Sequence, residues 1–145
     1  MNGRIHWLVG LGLLVAGIVG CGSSEIDIPE DPNVLNPVMG GAIRLNGKSI
    51  PTGAIITFHP TSGGDASQKI SGTYNADEGY FTVMTLKGKE TLGGAPEGVY
   101  TMTIQPPRNK PGSVPAKYGS PATSGLTVEV KAGENTNVPE SNLTP

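Results

Sequence analysis

The fold class of this chain is decided by residues 41–60, GAIRLNGKSIPTGAIITFHP. Apolar side chains recur at every second position on both sides of a turn signal, which is the spacing of a strand with one buried face. They are Ile43 and Leu45 before the turn, and Ala54, Ile56 and Phe58 after it. Asn46-Gly47 favours a tight turn because both residue types tolerate a positive φ. The stretch predicts two strands that flank residues 47–53.

The same alternation recurs downstream, at a spacing typical of an all-β sandwich. A Gly-rich loop is predicted at 61–66, followed by a hairpin of strands 69–74 and 80–85 around the turn NADEG. The inward side chains are predicted to be Phe81 and Val83, then Tyr100, Met102 and Ile104, then Leu126, Val128 and Val130. The outward positions are predicted to be Thr101, Thr103, Gln105, Glu129 and Lys131. A short strand at 136–138 brings the expected total to about seven.

Composition agrees with a folded domain made of strands and turns. The chain has 22 Gly and 13 Pro among 145 residues, so breakers of regular structure are abundant. Only 15% of the residues are charged and the mean hydropathy is −0.13, which is not the profile of a disordered chain. A helical bundle is disfavoured because Gly and Pro cost roughly 1 and 3 kcal/mol inside a helix.

Residues 1–20 have the three parts of an export signal peptide. Arg4 lies in a short polar start, an apolar run covers residues 7–19, and small residues precede Cys21. The run is too short for a permanent transmembrane helix, which needs roughly 20 apolar residues. The segment IVGCGSS at 18–24 resembles the lipobox of bacterial lipoproteins, in which the cysteine is lipidated and becomes the new N-terminus.

Cys21 is the only cysteine of the chain, so it has no partner for an intrachain disulfide. The lipobox resemblance implies that Cys21 carries acyl chains and holds the mature protein on a membrane, since each buried methylene contributes about 0.8 kcal/mol. An ordinary cleavage site beside an unrelated cysteine is the alternative. Removal of residues 1–20 also removes His6 and Trp7, which leaves His59 as the one histidine of the mature chain.

Residues 21–37 are predicted to be the lipidated cysteine and an acidic, proline-containing tether. Residues 22–37 hold four acidic side chains, three prolines and no basic one. Such a stretch reaches about 50 Å when extended. Ile26 and Ile28 alternate with acids, so an edge strand added to the domain is the alternative. The β-sandwich domain is predicted to occupy residues 38–143.

Several short motifs together resemble carboxypeptidase regulatory-like, or transthyretin-like, domains. Residues 41–60 resemble the opening strand, the NGK turn and a strand ending in Phe, a polar residue and Pro. NADEGYF at 75–81, GAPEGVYTMTI at 94–104 and SGLTVEVKAGENT at 124–136 resemble the hairpin, the Gly-x-Tyr strand and the closing segment. The resemblance implies a single seven-stranded Greek-key β-sandwich over most of residues 38–143. It implies a fold more than an activity.

Catalytic chemistry is poorly supplied. Nucleophilic hydrolysis needs a base held against a hydroxyl or a thiol. His59 falls on an outward strand position beside Pro60 and is predicted to be a surface residue. Some transthyretin-like relatives hydrolyse a purine-pathway ring with several histidines and a characteristic C-terminal tetrapeptide, and this chain has neither. No catalytic residue is predicted.

Metal, cofactor and nucleic-acid binding are not indicated either. Asp77 is predicted to cap its own turn, because the ligand spacing of a calcium loop is missing. A zinc site needs more His or Cys than the mature chain contains. The mature chain has nine basic and twelve acidic side chains, which excludes a nucleic-acid footprint.

The stretch 105–125, QPPRNKPGSVPAKYGSPATSG, is the candidate for partner binding. It holds five prolines and the side chains Arg108, Lys110, Lys117 and Tyr118, in a chain that is otherwise acidic. Long connections are often functional, and a positive loop with one aromatic ring suits an acidic glycan or an envelope protein. The alternative is a proline-stiffened crossing between sheets, with Tyr118 packed on the sandwich.

These observations predict a non-catalytic, lipid-anchored protein of the cell envelope, on its periplasmic or surface side, with a β-sandwich that serves structure or binding. A carbohydrate-binding or enzyme-accessory module is the alternative function. The missing Trp disfavours it, because sugar platforms commonly use stacked aromatic rings. A hydrolase is the third and least supported interpretation, since it needs a catalytic constellation that the sequence does not contain.

Overall fold

The computed structural model of the chain describes residues 34–62, 65, 67–138 and 141–145. The predicted signal peptide, Cys21 and the predicted tether up to residue 33 lie outside the described residues. Strands are the main regular structure of the described part, which otherwise has only two short helical turns. The prediction of an all-β protein is confirmed.

The described residues form eleven short strands. They are β1 (Val38–Gly40), β2 (Ile43–Leu45), β3 (Lys48–Ser49), β4 (Ile55–Ser62), β5 (Lys69–Asn75), β6 (Tyr80–Lys87), β7 (Glu90–Gly93), β8 (Gly98–Gln105), β9 (Leu126–Val130), β10 (Asn135–Val138) and β11 (Ser141–Leu143). The helical turns are a 3₁₀ turn at Ala116–Gly119 and the single-turn helix α1 at Pro121–Ser124.

The main sheet has the strand order β10-β1-β6-β5-β4-β8-β9, and β7 pairs with the second half of β6. Its pairs are antiparallel except that of β1 with β10. Strands β9 and β10 stand at opposite ends of this order, about 29 Å apart if the sheet were flat. Residues 131–134 alone connect them, and they can span only about 17 Å. The sheet is therefore curled until it is nearly closed.

A second, three-stranded sheet has the order β11-β2-β3. Strand β11 runs parallel to β2, and β3 returns antiparallel to it. Ile43 and Leu143 from this sheet join the same hydrophobic core as the inner residues of the main sheet. The small sheet therefore packs on the main sheet, and the described domain has one core.

The core consists of the inward side chains that strand alternation predicts. Each of the following is at most 8% exposed: Ile43, Ala54, Ile56, Phe58, Phe81, Val83, Tyr100, Met102, Ile104, Val128 and Val130. Leu45 and Leu126 are partly buried and pack against them. Phe58 lies at the centre, with its ring centroid 6.4 Å from that of Phe81 and 5.7 Å from that of Tyr100. The predicted inward face is confirmed strand by strand.

The predicted tight turn at Asn46-Gly47 is also confirmed. Both residues have positive φ, 52° and 77°, as the turn of a two-residue hairpin requires. The strand that follows the turn is the two-residue β3, which pairs back on β2. The longer strand β4 begins only at Ile55 and belongs to the main sheet. Residues 41–60 thus contribute to both sheets, where two strands alone were predicted.

The start of the predicted Gly-rich loop at 61–66 is wrong by two residues. Thr61 and Ser62 extend β4, because the strand resumes its pairing with β8 after a register shift next to Pro60. Ser62 is opposite Val99, and the Thr61 hydroxyl donates a 2.7 Å hydrogen bond to the Val99 carbonyl oxygen. An irregularity next to a proline, which lacks an N–H, lets the strand continue.

The chain is bonded to the domain from Asn36 onward. Asn36 N–H donates to the Ala95 carbonyl at 2.8 Å, and the Pro37 carbonyl accepts from Asn135 N–H at 2.9 Å. Gly94 makes this close approach possible, since a Cβ at that position would lie 2.3 Å from the Asn36 carbonyl oxygen. Asn36 and Pro37, the last two residues of the predicted tether, are therefore held to the domain by backbone hydrogen bonds.

Candidate functional surfaces

The stretch predicted to bind a partner forms the connection of a long hairpin. We call residues 106–125 the Pro-rich loop, because Gln105 belongs to β8. Strands β8 and β9 are antiparallel neighbours in one sheet, and Met102 is directly opposite Leu126 at the base of the loop. The crossing between two sheets in the predicted alternative is therefore wrong, whereas the other part of that alternative, Tyr118 packed on the sandwich, is confirmed. The Ser124 hydroxyl donates to the Met102 carbonyl and fastens the end of the loop to β8.

Tyr118 is packed into the core and is 5% exposed. Its Oη accepts a hydrogen bond from Thr144 N–H at 2.9 Å and donates to the Thr144 carbonyl at 3.3 Å. Burial by itself raises the pKa of the phenol. The hydrogen bonds with Thr144 and the Lys117 ammonium outweigh burial, so the pKa of Tyr118 is lowered from 10.0. The ring joins the loop to the residues after β11 and is not presented to solvent.

Lys117 is held by the same segment. Its Nζ donates to Thr144 Oγ1 at 3.0 Å and to the Pro145 carbonyl oxygen at 2.8 Å. It also lies 5.1 Å from the centroid of the Tyr118 ring, within the range of a cation–π contact. Two of the four predicted binding residues thus make internal contacts.

Arg108 and Lys110 are exposed on the first part of the Pro-rich loop. Pro107 is buried and accepts a hydrogen bond from Lys110 N–H at 2.9 Å, so the turn carrying both cations is fixed to the domain. The Lys110 carbonyl accepts from the Ser113 hydroxyl at 2.8 Å. No acidic residue occurs in the loop sequence. The structure therefore presents two exposed cations on a hydrogen-bonded turn.

A second surface was missed in the prediction. Met39, Met84 and Leu86 point away from the core on β1 and β6, and are 40%, 52% and 42% exposed. We call these three residues the Met–Leu face. The signal was present in the sequence: if Phe81 and Val83 face inward, alternation places Met84 and Leu86 outward. Strand β6 therefore carries apolar side chains on both faces, Phe81 and Val83 inward and Met84 and Leu86 outward.

Register explains why these side chains stay exposed. Met84 lies between Gly93 on β7, which has no side chain, and Ser71 on β5. Met39 lies opposite Thr82. Small cross-strand neighbours cannot cover a long thioether side chain, because cover on a sheet face comes mainly from residues directly opposite. The Met–Leu face is thus a raised apolar surface on the outer side of the main sheet.

His59 is half-buried and hydrogen-bonded, which the prediction of a plain surface residue did not include. Its Nε2 lies 2.9 Å from Thr103 Oγ1, and that hydroxyl lies 3.4 Å from the Thr57 carbonyl. Thr103 was predicted outward, but it is 1% exposed. The hydroxyl has a single proton, which the Thr57 carbonyl or the His59 ring nitrogen can accept. Thr103 therefore links the His59 ring to the backbone of β4.

The turn at 75–79 is capped by a different residue from the one predicted. Asn75 Oδ1 accepts from Asp77 N–H at 3.1 Å and from Glu78 N–H at 3.4 Å. Asn75 is the first residue of the turn, where an Asx side chain reaches the backbone two residues on. Asp77 is exposed. Across the described ranges, no three His, Cys, Asp or Glu side chains come together in a way that could hold a metal ion.

Comparison with known proteins returned no relative: no protein family, no curated protein and no solved structure matches this chain. In the part of the chain with a described structure, no helix has the length and apolar character needed to cross a bilayer.

Proposed function

We propose that this chain is an exported, lipid-anchored protein of the cell envelope whose β-domain is a non-catalytic structural or binding module. The observation that carries the proposal is the position of the one cysteine. Cys21 directly follows a 13-residue apolar run and small residues, in the segment IVGCGSS. A lone cysteine at that position can accept acyl chains on its thiol. The attached lipid chains would then hold the protein at a membrane.

We propose further that the domain is a Greek-key sandwich of the transthyretin-like type. Its seven predicted strands correspond to β2, β4, β5, β6, β8, β9 and β10, and the short strands β1, β3, β7 and β11 are additions to that frame. Two sheets that share one core and the Asn46-Gly47 hairpin support this arrangement. A fold of this kind supplies a rigid scaffold on which loops differ, so function is argued from the surfaces and not from the scaffold.

Metabolic labelling with a fatty-acid probe tests the anchor. The wild-type chain should be labelled, Cys21→Ala should not, and Ser23→Ala should be labelled like the wild type. Equal labelling of the wild type and Cys21→Ala would overturn the proposal. Fluorescence gives a second readout, because Trp7 is the single tryptophan and lies within the predicted signal peptide. The processed protein should emit as tyrosine only.

A binding role is best supported at Arg108 and Lys110, which are exposed on an acid-free turn. The partner of matching chemistry is an acidic glycan or an acidic protein of the envelope. Binding to acidic glycans should fall with added salt and with Arg108→Ala plus Lys110→Ala. Lys131→Ala is the matched control, because Lys131 lies on another turn and pairs with Glu129 at 3.5 Å. Binding that survives the double variant would exclude this site.

The buried ring of Tyr118 disfavours the carbohydrate-platform version of this role, since a stacked sugar needs an accessible aromatic face. An enzyme-accessory role would use the same two cations. Turnover of an ester or a cyclic amide by the purified protein would instead support a hydrolase and would contradict the non-catalytic proposal.

A further inference from the structure

We propose that the Met–Leu face rests on an anionic lipid bilayer, so that the domain lies on the membrane that its N-terminal tether reaches. The inference rests on the lipid anchor proposed above, and its test separates the two. It assigns a role to Met39, Met84 and Leu86, which neither the fold nor the predicted binding loop uses.

Long apolar side chains are exposed on the regular strands of this face. Outward strand positions commonly carry polar residues, and an exposed apolar cluster marks an interaction surface. Flexible methionine and leucine side chains can enter the headgroup region without a complementary shape on the other side, as a fluid lipid surface requires.

Basic side chains lie around this face. Lys69 on β5 is directly opposite Leu86 and is exposed. Lys89 is exposed in the turn between β6 and β7. Lys87 ends β6 on the other face of the sheet, opposite Glu90. Long lysine side chains beside apolar residues can extend their ammonium groups to lipid phosphates while their stems stay on the apolar surface. The apolar cluster is thus bordered by cations along the end of β6.

The tether enters the domain near this face. Asn36 pairs with Ala95, two residues beyond β7, so the chain arrives beside the strand that borders the Met–Leu face. Val34, just before it, is 57% exposed. The attachment of the tether beside β7 therefore keeps the β7 edge of the domain on the side of the lipid anchor.

The tether is also short. Twelve residues lie between Cys21 and Val34, so the extended chain spans about 45 Å between them. A domain of this size has a radius of gyration of about 13 Å. The anchored domain cannot move more than about two diameters from the bilayer, and this confinement raises its effective concentration at the surface. A weakly lipid-attracting face is then sufficient for contact. The four acidic residues of the tether are repelled by anionic lipids, so the tether itself does not lie on the bilayer. The contact with lipid is then made by the domain.

Tryptophan quenching tests this orientation. The processed chain is expected to have no tryptophan, so Met84→Trp introduces a single probe in the Met–Leu face. Thr127→Trp is the matched control, because Thr127 is exposed on β9, four strands away along the main sheet. Each acylated full-length variant is incorporated into phosphatidylcholine vesicles with phosphatidylglycerol and brominated acyl chains. Emission of Met84→Trp should be quenched several-fold more strongly than that of Thr127→Trp.

Co-sedimentation with the same vesicles separates the two proposals. If both variants sediment but their quenching is equal, whether absent or present, the anchor stands and the docking face is overturned. If neither variant sediments, the anchor itself fails. Lys69→Glu with Lys89→Glu should reduce quenching of Met84→Trp and leave sedimentation unchanged. A shift of Met84→Trp emission that depends on protein density, without quenching, would assign the face to a second copy of the chain and would also overturn the proposal.

Discussion

In the Pro-rich loop an irregular segment buries Val114 and Tyr118, whereas in the Met–Leu face a regular strand leaves Met84 half exposed. The loop achieves burial through anchors at distant points: Ser124 bonds to β8, and Tyr118 bonds to Thr144. Met84 on the strand stays exposed because its cross-strand neighbours, Gly93 and Ser71, are too small to cover it. The difference shows that burial follows from what lies opposite a side chain, and not from the regularity of its own segment.

The comparison also separates two kinds of candidate surface. The loop presents its charges on an ordered turn and hides its ring, so it suits recognition of an anionic group. The Met–Leu face presents apolar side chains without a pocket, so it suits a partner without fixed shape. Both surfaces lie on one rigid scaffold, and they can be altered independently because different strands carry them.

The largest expected effect comes from truncating the buried ring of the loop. Tyr118→Ala should lower the free energy of unfolding by about 3–5 kcal/mol, because a buried aromatic side chain leaves a cavity. Met84→Ala should change it by less than about 0.5 kcal/mol, since its environment is exposed. Chemical denaturation of both variants measures the contrast. Equal losses of unfolding free energy in the two variants would mean that the Tyr118 ring and the Met84 thioether have similar surroundings, which would contradict the contrast between the two regions.

A smaller effect is expected on the outer side of β8. Thr103→Val keeps the shape of the side chain but removes the hydroxyl that contacts His59 and Thr57. A half-buried ring nitrogen then loses its partner, which should cost about 1–2 kcal/mol of stability. Thr127→Val, at an exposed position on β9, should be nearly neutral. Equal stability of the two variants would show that the polar pair is not a stabilising part of this face.

A still smaller effect should distinguish the cations of the loop. Lys117→Ala removes the bonds to Thr144 and Pro145 and should cost about 0.5–1 kcal/mol, because the ammonium is only partly shielded. Lys110→Ala should leave stability unchanged within about 0.3 kcal/mol, because the side chain is exposed. Thermal unfolding compares the two. A larger loss for Lys110→Ala would reverse the assignment of internal and exposed cations.

The smallest effect at neutral pH concerns two tyrosines, because both are un-ionised there. The pKa of Tyr118 is lowered in the folded protein, whereas burial raises the pKa of Tyr100, whose hydroxyl donates to the Pro96 carbonyl. A lowered phenol pKa contributes stability above the unfolded pKa, near 10, and loses it as pH falls through the folded pKa. A raised phenol pKa makes folding less favourable as pH rises above the unfolded value.

Absorbance titration at alkaline pH measures these two groups. The native protein should show an early phenolate phase that Tyr118→Phe removes. Ionisation of Tyr100 should coincide with loss of the folded signal in circular dichroism. Persistence of the early phase in Tyr118→Phe would assign it to another tyrosine and would remove the evidence that Thr144 and Lys117 stabilise the Tyr118 phenolate.

Local alternation was sufficient to predict the inner faces of the longer strands, since side chains on a strand point to opposite sides at every step. Short strands escaped prediction because two to four residues, as in β3 and β7, contain too little pattern. The cap of the 75–79 turn was assigned to Asp77 instead of Asn75, although both side chains can form an Asx turn. Position within the turn decided between them.

For the candidate surfaces, the sequence alone determined the export-like segment, the lone Cys21, the acid-free loop and the inward residues of the core. These are features of neighbouring residues. The tertiary structure decided that Tyr118 is buried and that Thr103, at an outward strand position, is covered. It also decided that Met84, at another outward position, stays exposed. Tyr118 and Thr103 are covered by contacts with Thr144 and His59, which lie 26 and 44 residues away along the chain. Met84 stays exposed because of Gly93, its partner on the neighbouring strand. Only the folded sheet sets these pairings. Exposure is a property of such long-range neighbours, so it could not be read from local pattern.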